Sequence, residues 1–473
     1  MSKDQKARAR SKFGPRGSSC LTSFLTATAL VGCAAAPNLS TVRQIPDLMT
    51  AFEVDGLAVT AVAGDDVLVS EGFGVKANGD AYTPTTKCGL YSATKVLASL
   101  TYAKLSGEGV VNLETGLGEY LVDAPSDWQA IPFFRLLNHS SGITMAVNKP
   151  EFGTIASEPS STNEDIYRLI RGAPLDFNPG EFSRYRQSGY AVGEVILARK
   201  LGLTFDALVD RYITVPAGMT NTSHPSVTDE TQPSLILSAG GYQTTAEDMS
   251  RLFLGLNTGV IIDPEDWKEL LLDERYLFDD YSLGSVIDSR NSILTVGHSG
   301  GGARANIRYA PDQKVGVMVC TDDTFNNWLA ITLANMLIDE ITSGEPPKTP
   351  LLVALAGYST MSGEDVVEAY RAAARQGERY DLSNSEGLLN AIGYDFLAQE
   401  KVEDAIEVFS LNTELFPLSA NTHDSLGEAL LAADRPEDAL AEFKRVLELD
   451  PKNSHAREMI ERIKAILPSR QEG

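Results

Sequence analysis

The sequence is poor in cysteine and histidine and has fewer basic than acidic residues, and these shortages exclude whole classes of protein. Its four cysteines, Cys20, Cys33, Cys88 and Cys320, are spaced neither as zinc ligands nor as the framework of a small disulfide-rich fold, so no metal site is expected. Against 64 Asp and Glu there are 40 Lys and Arg, and the net charge of −24 excludes general nucleic-acid binding.

The remaining composition is that of a globular protein. Of the 473 residues, 43% are hydrophobic and 22% are charged, with 39 glycines and 22 prolines. These values exclude a disordered or fibrous chain. At about 100 to 200 residues per domain, the length predicts two or three domains.

The N-terminal region has its features in the order of an export signal. Residues 1–20 carry six basic residues and one acid, and the mostly apolar run 21–31 follows. This run of eleven residues is too short to cross a bilayer, which needs about 20. Residues 1–32 are therefore predicted to be a signal peptide.

Cys33 follows Leu30, Val31 and Gly32, an arrangement that resembles a bacterial lipobox. The resemblance implies cleavage before Cys33 and a lipid chain on its sulfur, with residues 33–44 as a linker. The protein is then expected as a lipoprotein at the periplasmic face of a bacterial membrane. Its association would depend on the acyl anchor, because anionic lipid repels the acidic mature part. The alternative is a disordered N-terminus with an incidental cysteine.

Hydrophobic patterning predicts a domain that spans residues 45–345, with strands at both ends and helices between them. Expected strands cover residues 57–62, 67–70, 293–296, 305–309 and 315–320, and expected helices cover 93–105, 164–170, 190–200 and 245–256. Strands from both ends can join one antiparallel sheet, so the predicted fold class is α+β, with helices flanking the sheet. Residues 346–362, which begin with two prolines, are predicted to be a linker.

Beyond this linker, the sequence repeats with a period of 34 residues. The matched pairs are Gly393 and Gly427, Leu397 and Leu431, Ala405 and Ala439, Phe409 and Phe443, and Pro417 and Pro451. The pattern resembles the tetratricopeptide repeat, a pair of packed helices, so residues 363–473 are predicted to be an all-α repeat array. Flanking helices are expected at 363–376 and 454–466. The array could be a structural appendage, a groove for a peptide or protein partner, or a dimer contact.

The segment Ser92-Ala93-Thr94-Lys95 lies at the start of a predicted helix and is the first candidate for chemistry. Residues three apart share a helix face, so the amine of Lys95 can take the hydroxyl proton of Ser92 if the site lowers the pKa of the amine. The free N–H groups at a helix N-terminus also favour developing negative charge.

A rival nucleophile is Ser299, because Gly297-His298-Ser299-Gly300-Gly301 matches the Gly-x-Ser-x-Gly pattern of a nucleophile elbow. An elbow requires a helix directly after the serine and a later histidine in the same domain. Residues 302–310 instead read as a strand, and the later histidines fall in the repeats. Ser299 is therefore the weaker candidate.

Three motifs in order resemble the serine β-lactamase and penicillin-binding-protein superfamily, especially its branch of class C-like β-lactamases, D-Ala-D-Ala carboxypeptidases and esterases. They are Ser92-Ala93-Thr94-Lys95, Tyr185-Arg186-Gln187 and His298-Ser299-Gly300. The resemblance covers most of residues 50–342. It implies a sheet flanked by helices, with an all-helical subdomain.

The resemblance also implies a role for each matched residue. Ser92 would be the acylated nucleophile, Lys95 its activating neighbour and Tyr185 a proton shuttle whose anion is favoured by the nearby ammonium. His298 would hold Tyr185 or, when protonated, bind a substrate carboxylate. The N–H groups of Ser92 and Gly301 would form the oxyanion hole, and the remaining substrate contacts would come from Gln187, Ser299 and Gly300. No cofactor is expected, and His139 is predicted to be structural.

Three residues depart from the superfamily pattern. Gln187 replaces the usual asparagine, Tyr91 precedes the nucleophile where small residues are commoner, and Cys88 is expected to be a small buried filler. The prediction is a serine hydrolase acting through an acyl-enzyme on an ester, amide, β-lactam or D-amino-acid peptide. The alternative is an inactive ligand-binding scaffold whose repeats recruit a partner.

Overall fold

An eight-stranded antiparallel sheet forms the centre of the fold, and its middle strands come from the two ends of the predicted domain. The computed structural model describes residues 39–229, 231–321 and 328–470. The sheet order is β2-β1-β10-β9-β8-β7-β6-β5, and β3 and β4, like β11 and β12, form separate pairs. The strands are β1 Gly56–Ala63, β2 Asp66–Gly74, β3 Cys88–Gly89, β4 Gln243–Thr244, β5 Leu277–Phe278, β6 Tyr281–Ser282, β7 Ser285–Arg290, β8 Ile293–Gly300, β9 Ala305–Ala310, β10 Val315–Thr321, β11 Thr349–Pro350 and β12 Tyr380–Asp381.

Helices precede, interrupt and follow the sheet. In and around the sheet domain they are α1 Ser40–Ala51, α2 Lys95–Gly107, α3 Leu117–Tyr120, α4 Phe134–Leu137, α5 Phe152–Ser157, α6 Asn163–Ile170, α7 Ser188–Leu201, α8 Phe205–Val209, α9 Val215–Ala217, α10 Pro225–Thr228, α11 Ala246–Asn257, α12 Pro264–Leu272 and α13 Leu329–Ser343. The C-terminal helices are α14 Leu351–Ala354, α15 Gly363–Ala374, α16 Ser385–Ala398, α17 Val402–Leu415, α18 Ala420–Ala432, α19 Pro436–Leu449 and α20 Ser454–Arg470. Within the described residues, no helix combines the length and apolarity that crossing a bilayer requires.

The two faces of the sheet are covered by different helices. Successive strand residues point to opposite faces, so Ile307 and Met318 pack into the core that contains α2. Val317 and Val319 pack on the other face, with residues of α1 and α13. The predicted α+β architecture is confirmed, and helix α2 is held against one face of the sheet.

Regular structure extends into both segments predicted to be linkers. Helix α1 begins at Ser40, and the backbone N–H groups of Ser40 and Thr41 donate to the carboxylate of Glu340 at 2.6 and 2.9 Å. In the second segment, Leu351 and Leu355 are buried among the C-terminal helices. In both segments, the described residues are ordered because their apolar side chains pack into a core. The proline content of a segment does not show this packing.

The C-terminal helices have a core of their own, distinct from the two cores of the sheet domain. A Cβ atom added at Gly393 would lie 2.5 Å from the Phe409 ring, and one added at Gly427 would lie 3.0 Å from the Phe443 ring. In both repeats, a glycine on one helix therefore lies against an aromatic ring on the next.

Cys88 and Cys320 form a disulfide between β3 and the end of β10. Cys88 is buried, as predicted, but it is half of a disulfide rather than a free side chain that fills space. The two cysteines are 232 residues apart in sequence, and only the folded sheet brings them together. Cys33 and the predicted signal peptide lie outside the described residues.

Candidate active site

Ser92 lies in a tight turn that packs against β8 and β9. Residues Tyr91–Thr94 form a 3₁₀ turn that leads directly into α2, which begins at Lys95. The turn follows β3, and the Leu90 N–H donates to the Tyr242 carbonyl at 2.8 Å. The helix therefore begins two residues later than predicted, and Ser92 is held by the strand before it and the helix after it.

Lys95 is fully buried, and its ammonium donates a hydrogen bond to the backbone carbonyl of Ala239. Its Nζ lies 4.8 Å from the centre of the Tyr185 ring and 5.2 Å from that of Tyr190. Burial lowers the pKa of Lys95 to about 7, because desolvation disfavours the charged form. A large share of this amine is neutral near pH 7 and can accept a proton.

The side chain of Ser92 lies close enough to the Tyr185 phenol to lower its pKa. Partial desolvation raises the pKa of Tyr185, of which 45% is exposed, and the neighbouring Ser92 offsets only part of that shift. The expectation that a neighbouring ammonium would favour the phenolate is not supported, since desolvation dominates the shift of Tyr185 and about half of the Lys95 amine is neutral near pH 7. Tyr185 is therefore a neutral phenol that can both donate and accept.

His298 lies on β8, on the face that packs against α2, with its ring centre 6.0 Å from that of Tyr185. Burial, reinforced by the charge of Lys95, lowers the pKa of His298 to about 3. Its Nδ1 lies against the carbonyl oxygen of Ser299, which can only accept, so Nδ1 carries the proton and Nε2 is an acceptor. The expected role of an imidazolium that binds a carboxylate is therefore not supported.

His139, predicted to be structural, lies in the same cluster. Its ring centre is 4.5 Å from that of Tyr185 and 4.7 Å from that of Tyr281. The Arg186 N–H donates to its Nδ1 at 3.2 Å, and burial holds the pKa of His139 well below its usual range. Sequence reasoning missed Tyr190 and Tyr281 as residues of the site, although Tyr190 belongs to the stretch around the second motif.

Strand β8 brings glycines against the Ser92 turn. A Cβ atom added at Gly300 would lie 2.1 Å from the Leu90 carbonyl oxygen and 2.8 Å from the Ser92 nitrogen. Pairing with β7 ends at Gly297, so the last part of β8 is free on that side to approach the turn. The predicted oxyanion-hole residues Ser92 and Gly301 lie on these adjoining segments.

The other predicted substrate-contacting residues and Tyr91 lie around the place where β8 meets the Ser92 turn. Gln187 is partly buried at the start of α7, and Ser299 pairs with Asn306, with its side chain on the opposite face from His298. Tyr91 packs over Gly301 and accepts a hydrogen bond from Arg304 at 3.1 Å. Ser299 is followed by glycine turns and β9 rather than by a helix, which argues against a nucleophile elbow.

A Ser-x-x-Lys turn, a tyrosine next to its serine and a glycine-ended strand beside the turn, on this α+β fold, define a β-lactamase-like protein. Comparison with known families agrees: residues 42–335 match the family model described as "Beta-lactamase". The chain belongs to this family.

Two curated relatives match over part of their length. A penicillin-binding protein of Bacillus subtilis is 27% identical over 185 residues, which are 37% of this chain and 40% of that protein. Beta-lactamase-like protein 4 of Dictyostelium discoideum is 25% identical over 350 residues, 60% of each chain. The chain thus spans less than two thirds of the length of either relative.

Solved structures share the fold at low identity. A penicillin-binding protein homologue from Pyrococcus abyssi, described as octameric, has a TM-score of 0.53 and 20% identity, covering 65% of this chain and 77% of that chain. The D-amino acid amidase of Ochrobactrum anthropi SV3, in complex with D-phenylalanine, has a TM-score of 0.55 and 18% identity, covering 64% of this chain and 99% of that chain. At these identities the likeness concerns the fold alone.

Proposed function

We propose that the protein is a serine hydrolase that transfers acyl groups through an ester on Ser92. The observation that carries this proposal is the buried amine of Lys95, whose Nζ lies 4.8 Å from the centre of the Tyr185 ring and whose pKa burial lowers to about 7. The Tyr185 phenol in turn lies next to the Ser92 side chain. A neutral amine and a neutral phenol together can remove the serine proton and return one to a leaving group.

The proposed reaction has two steps. Ser92 Oγ attacks the substrate carbonyl while its proton passes to the Lys95 amine, and the leaving group departs with a proton from Tyr185 or the Lys95 ammonium. Water then attacks the ester carbon, the same groups accept its proton, and Ser92 Oγ is released with a proton. Two fixed N–H donors, from Ser92 and Gly301, would stabilise the tetrahedral oxygen in both steps, with each donor contributing about 2.7 to 4 kcal/mol.

The substrate class is proposed as small acyl compounds: esters, amides, β-lactams or D-amino-acid peptides. The family and the names of the relatives support this range. Gln187, Ser299 and Gly300 are proposed to contact the substrate. No metal or cofactor takes part in the proposed steps.

Mass spectrometry of the intact protein tests the proposal. After incubation with a panel of penicillins, activated esters and a fluorophosphonate, we expect an adduct on the wild type that maps to the peptide containing Ser92. Ser92→Ala should acquire none, since it removes the nucleophile. Ser106→Ala, on the same helix, is the control and should label as the wild type does.

The opposite outcome would favour the second candidate. A folded wild type that acquires no adduct from any member of the panel would contradict the enzymatic proposal. It would support an inactive ligand-binding scaffold, for which Gln187 and the C-terminal helices are the motivation. An adduct on Ser299 instead would move the nucleophile to β8.

The C-terminal helices are proposed to form a tetratricopeptide-like array that binds a peptide or protein partner. Support comes from the 34-residue sequence period and from the contacts of Gly393 with Phe409 and of Gly427 with Phe443. Repeat arrays of this kind present a concave surface built from successive helices. A structural appendage and a dimer contact are the other roles left open for this region.

The protein is proposed to be exported and lipid-anchored through Cys33. The Cys88–Cys320 disulfide supports export, because such bonds persist mainly in oxidising compartments. In fractionated cells, Cys33→Ala should move the protein from the membrane fraction to the soluble fraction, whereas the control Cys20→Ala should leave it at the membrane. Unchanged membrane association of Cys33→Ala would refute the anchor.

A further inference from the structure

Glu194 is a buried carboxyl group that the proposed mechanism does not use. It lies on α7 with 5% of its surface exposed. Its Oε1 accepts hydrogen bonds from the backbone N–H of Ser238 at 2.7 Å and from the Ser238 hydroxyl, and its Oε2 accepts one from the Asn163 amide at 2.8 Å. A buried carboxyl is retained only with partners such as these, so its position is well defined.

The residue that Glu194 binds, Ser238, is next in sequence to the hydrogen-bond acceptor of Lys95. Ser238 is followed by Ala239, whose carbonyl accepts the hydrogen bond of the Lys95 ammonium. Asn163 links the same segment a second time, because its Oδ1 accepts the Ile236 N–H at 2.9 Å. Glu194 and Asn163 together fix the backbone from which the Lys95 acceptor projects.

We propose that Glu194 is a positioning residue for Lys95: by holding Ser238 it fixes the Ala239 carbonyl, and the carbonyl fixes the amine. This inference rests on the proposed function, in which Lys95 is the general base. Glu194 acts through the backbone rather than by its charge, since burial alone accounts for the shift in the pKa of Lys95. A small misplacement of a catalytic group can cost about 100-fold in rate.

Two substitutions of Glu194 affect its hydrogen bonds to Ser238 and to Asn163 differently. In Glu194→Gln, one oxygen remains to accept both bonds from Ser238, but the new amide donor meets the Asn163 amide donor. Glu194→Ala removes every acceptor and leaves the Ser238 N–H unpaired in the interior. The glutamine variant should therefore retain much of the positioning that the alanine variant loses.

The main test is the pre-steady-state acylation rate on an ester that labels the wild type. Glu194→Ala should lower the acylation rate about 10- to 100-fold with KM little changed, because Glu194 does not touch the substrate. Glu194→Gln should restore most of this loss. The pH at which the rate is half-maximal should fall in Glu194→Ala, since losing the Ala239 acceptor weakens the hold on the ammonium form of Lys95.

This pH midpoint reports on Lys95 because its neighbours do not titrate near pH 7. Tyr185 and Tyr190 have raised pKa values, and His139 and His298 have lowered ones. The groups that face Glu194 are Tyr102 and Tyr242, whose pKa values burial also raises. Glu194 itself has a pKa raised by burial to about 7, so the midpoint of Glu194→Ala is compared with that of Glu194→Gln, because neither variant has a titrating group at this position.

The matched control is Glu340→Gln. Glu340 is also a buried glutamate, 8% exposed, that accepts two backbone N–H bonds, but it lies on the other face of the sheet. This variant should lose stability while keeping the acylation rate and the pH midpoint of the wild type. If Glu194→Ala fails to fold, Ser238→Ala, which removes only the hydroxyl donor, supplies the same comparison with a smaller expected effect.

These experiments distinguish failure of the inference about Glu194 from failure of the proposed function. A folded Glu194→Ala with the rate of the wild type and the pH midpoint of Glu194→Gln would overturn the inference while leaving the proposed function intact. A wild type without any adduct would refute the proposed function. In that case, NMR titration of the Lys95 side chain in Glu194→Gln and Glu194→Ala would still decide the inference, since equal pKa values would reject it.

Discussion

Replacing Lys95 with methionine is expected to slow the acylation of Ser92 by about 10²- to 10⁴-fold, the usual contribution of a positioned general base. Methionine keeps an unbranched side chain in the buried position but has no nitrogen to accept a proton. The expected loss is in the acylation rate, measured by stopped-flow release of a chromogenic leaving group. Lys104→Met, roughly 13 Å along the same helix, is the control and should retain the wild-type rate.

Lys95→Arg distinguishes a base from a fixed cation. Arginine keeps a positive charge and does not lose its proton in proteins. If Lys95 accepts the serine proton, the arginine variant should be as slow as the methionine variant. A rate close to that of the wild type would show that charge alone is required and would contradict the assignment of Lys95 as the base.

The same assignment fixes the direction of the pH dependence. Because the pKa of Lys95 is lowered to about 7, the neutral, proton-accepting form predominates above that pH. The acylation rate of the wild type should rise by about tenfold per unit below pH 7 and level off above it. The rise should be absent in Lys95→Met, and a wild-type rate that falls between pH 6 and 8 would exclude a neutral amine as the acceptor.

The second large effect is expected from the Cys88–Cys320 disulfide. Replacing both cysteines with alanine should lower the free energy of unfolding by about 2 to 5 kcal/mol. The bond joins residues 232 apart in sequence, and a cross-link that closes so long a loop restricts the unfolded chain strongly. Denaturant unfolding followed by tryptophan fluorescence measures the change.

Reduction provides the internal control for this prediction. Dithiothreitol should shift the unfolding midpoint of the wild type toward that of the double variant and leave the double variant unchanged. It should also slow labelling of Ser92, because Cys88 lies four residues before the nucleophile in a strand of only two residues. A wild-type midpoint that reductant does not move would show that the bond contributes little to stability.

Local patterning was sufficient to predict much of the fold. The strands at 305–309 and 315–320 were found within one residue of their observed ends, because alternating and continuous apolar runs report directly on burial in a sheet. The helix over 245–256 corresponds to α11, whose N-cap Thr245 accepts the Asp248 N–H at 3.1 Å. Signals that lie within a few neighbouring residues are readable from the sequence.

Features that depend on distant contacts were not predictable in the same way. The start of the first helix falls in the predicted linker 33–44, because the residue that caps it, Glu340, is remote in sequence. His139 reads as an isolated histidine, and only the fold places it beside Tyr185 and Tyr281. The neutral state of His298 likewise depends on burial by residues from several elements. The charge of this imidazole could therefore not be predicted from the His298-Ser299-Gly300 motif.

The order of the strands has a consequence for synthesis of the protein. In the centre of the sheet, β1 pairs with β10, with Leu57 opposite Thr321. At a translation rate of about 5 to 20 residues per second, on the order of tens of seconds separates the emergence of these two segments from the ribosome. Throughout that interval the nascent β1–β2 hairpin has an open edge, which is a binding surface for chaperones and a site of association between neighbouring nascent chains.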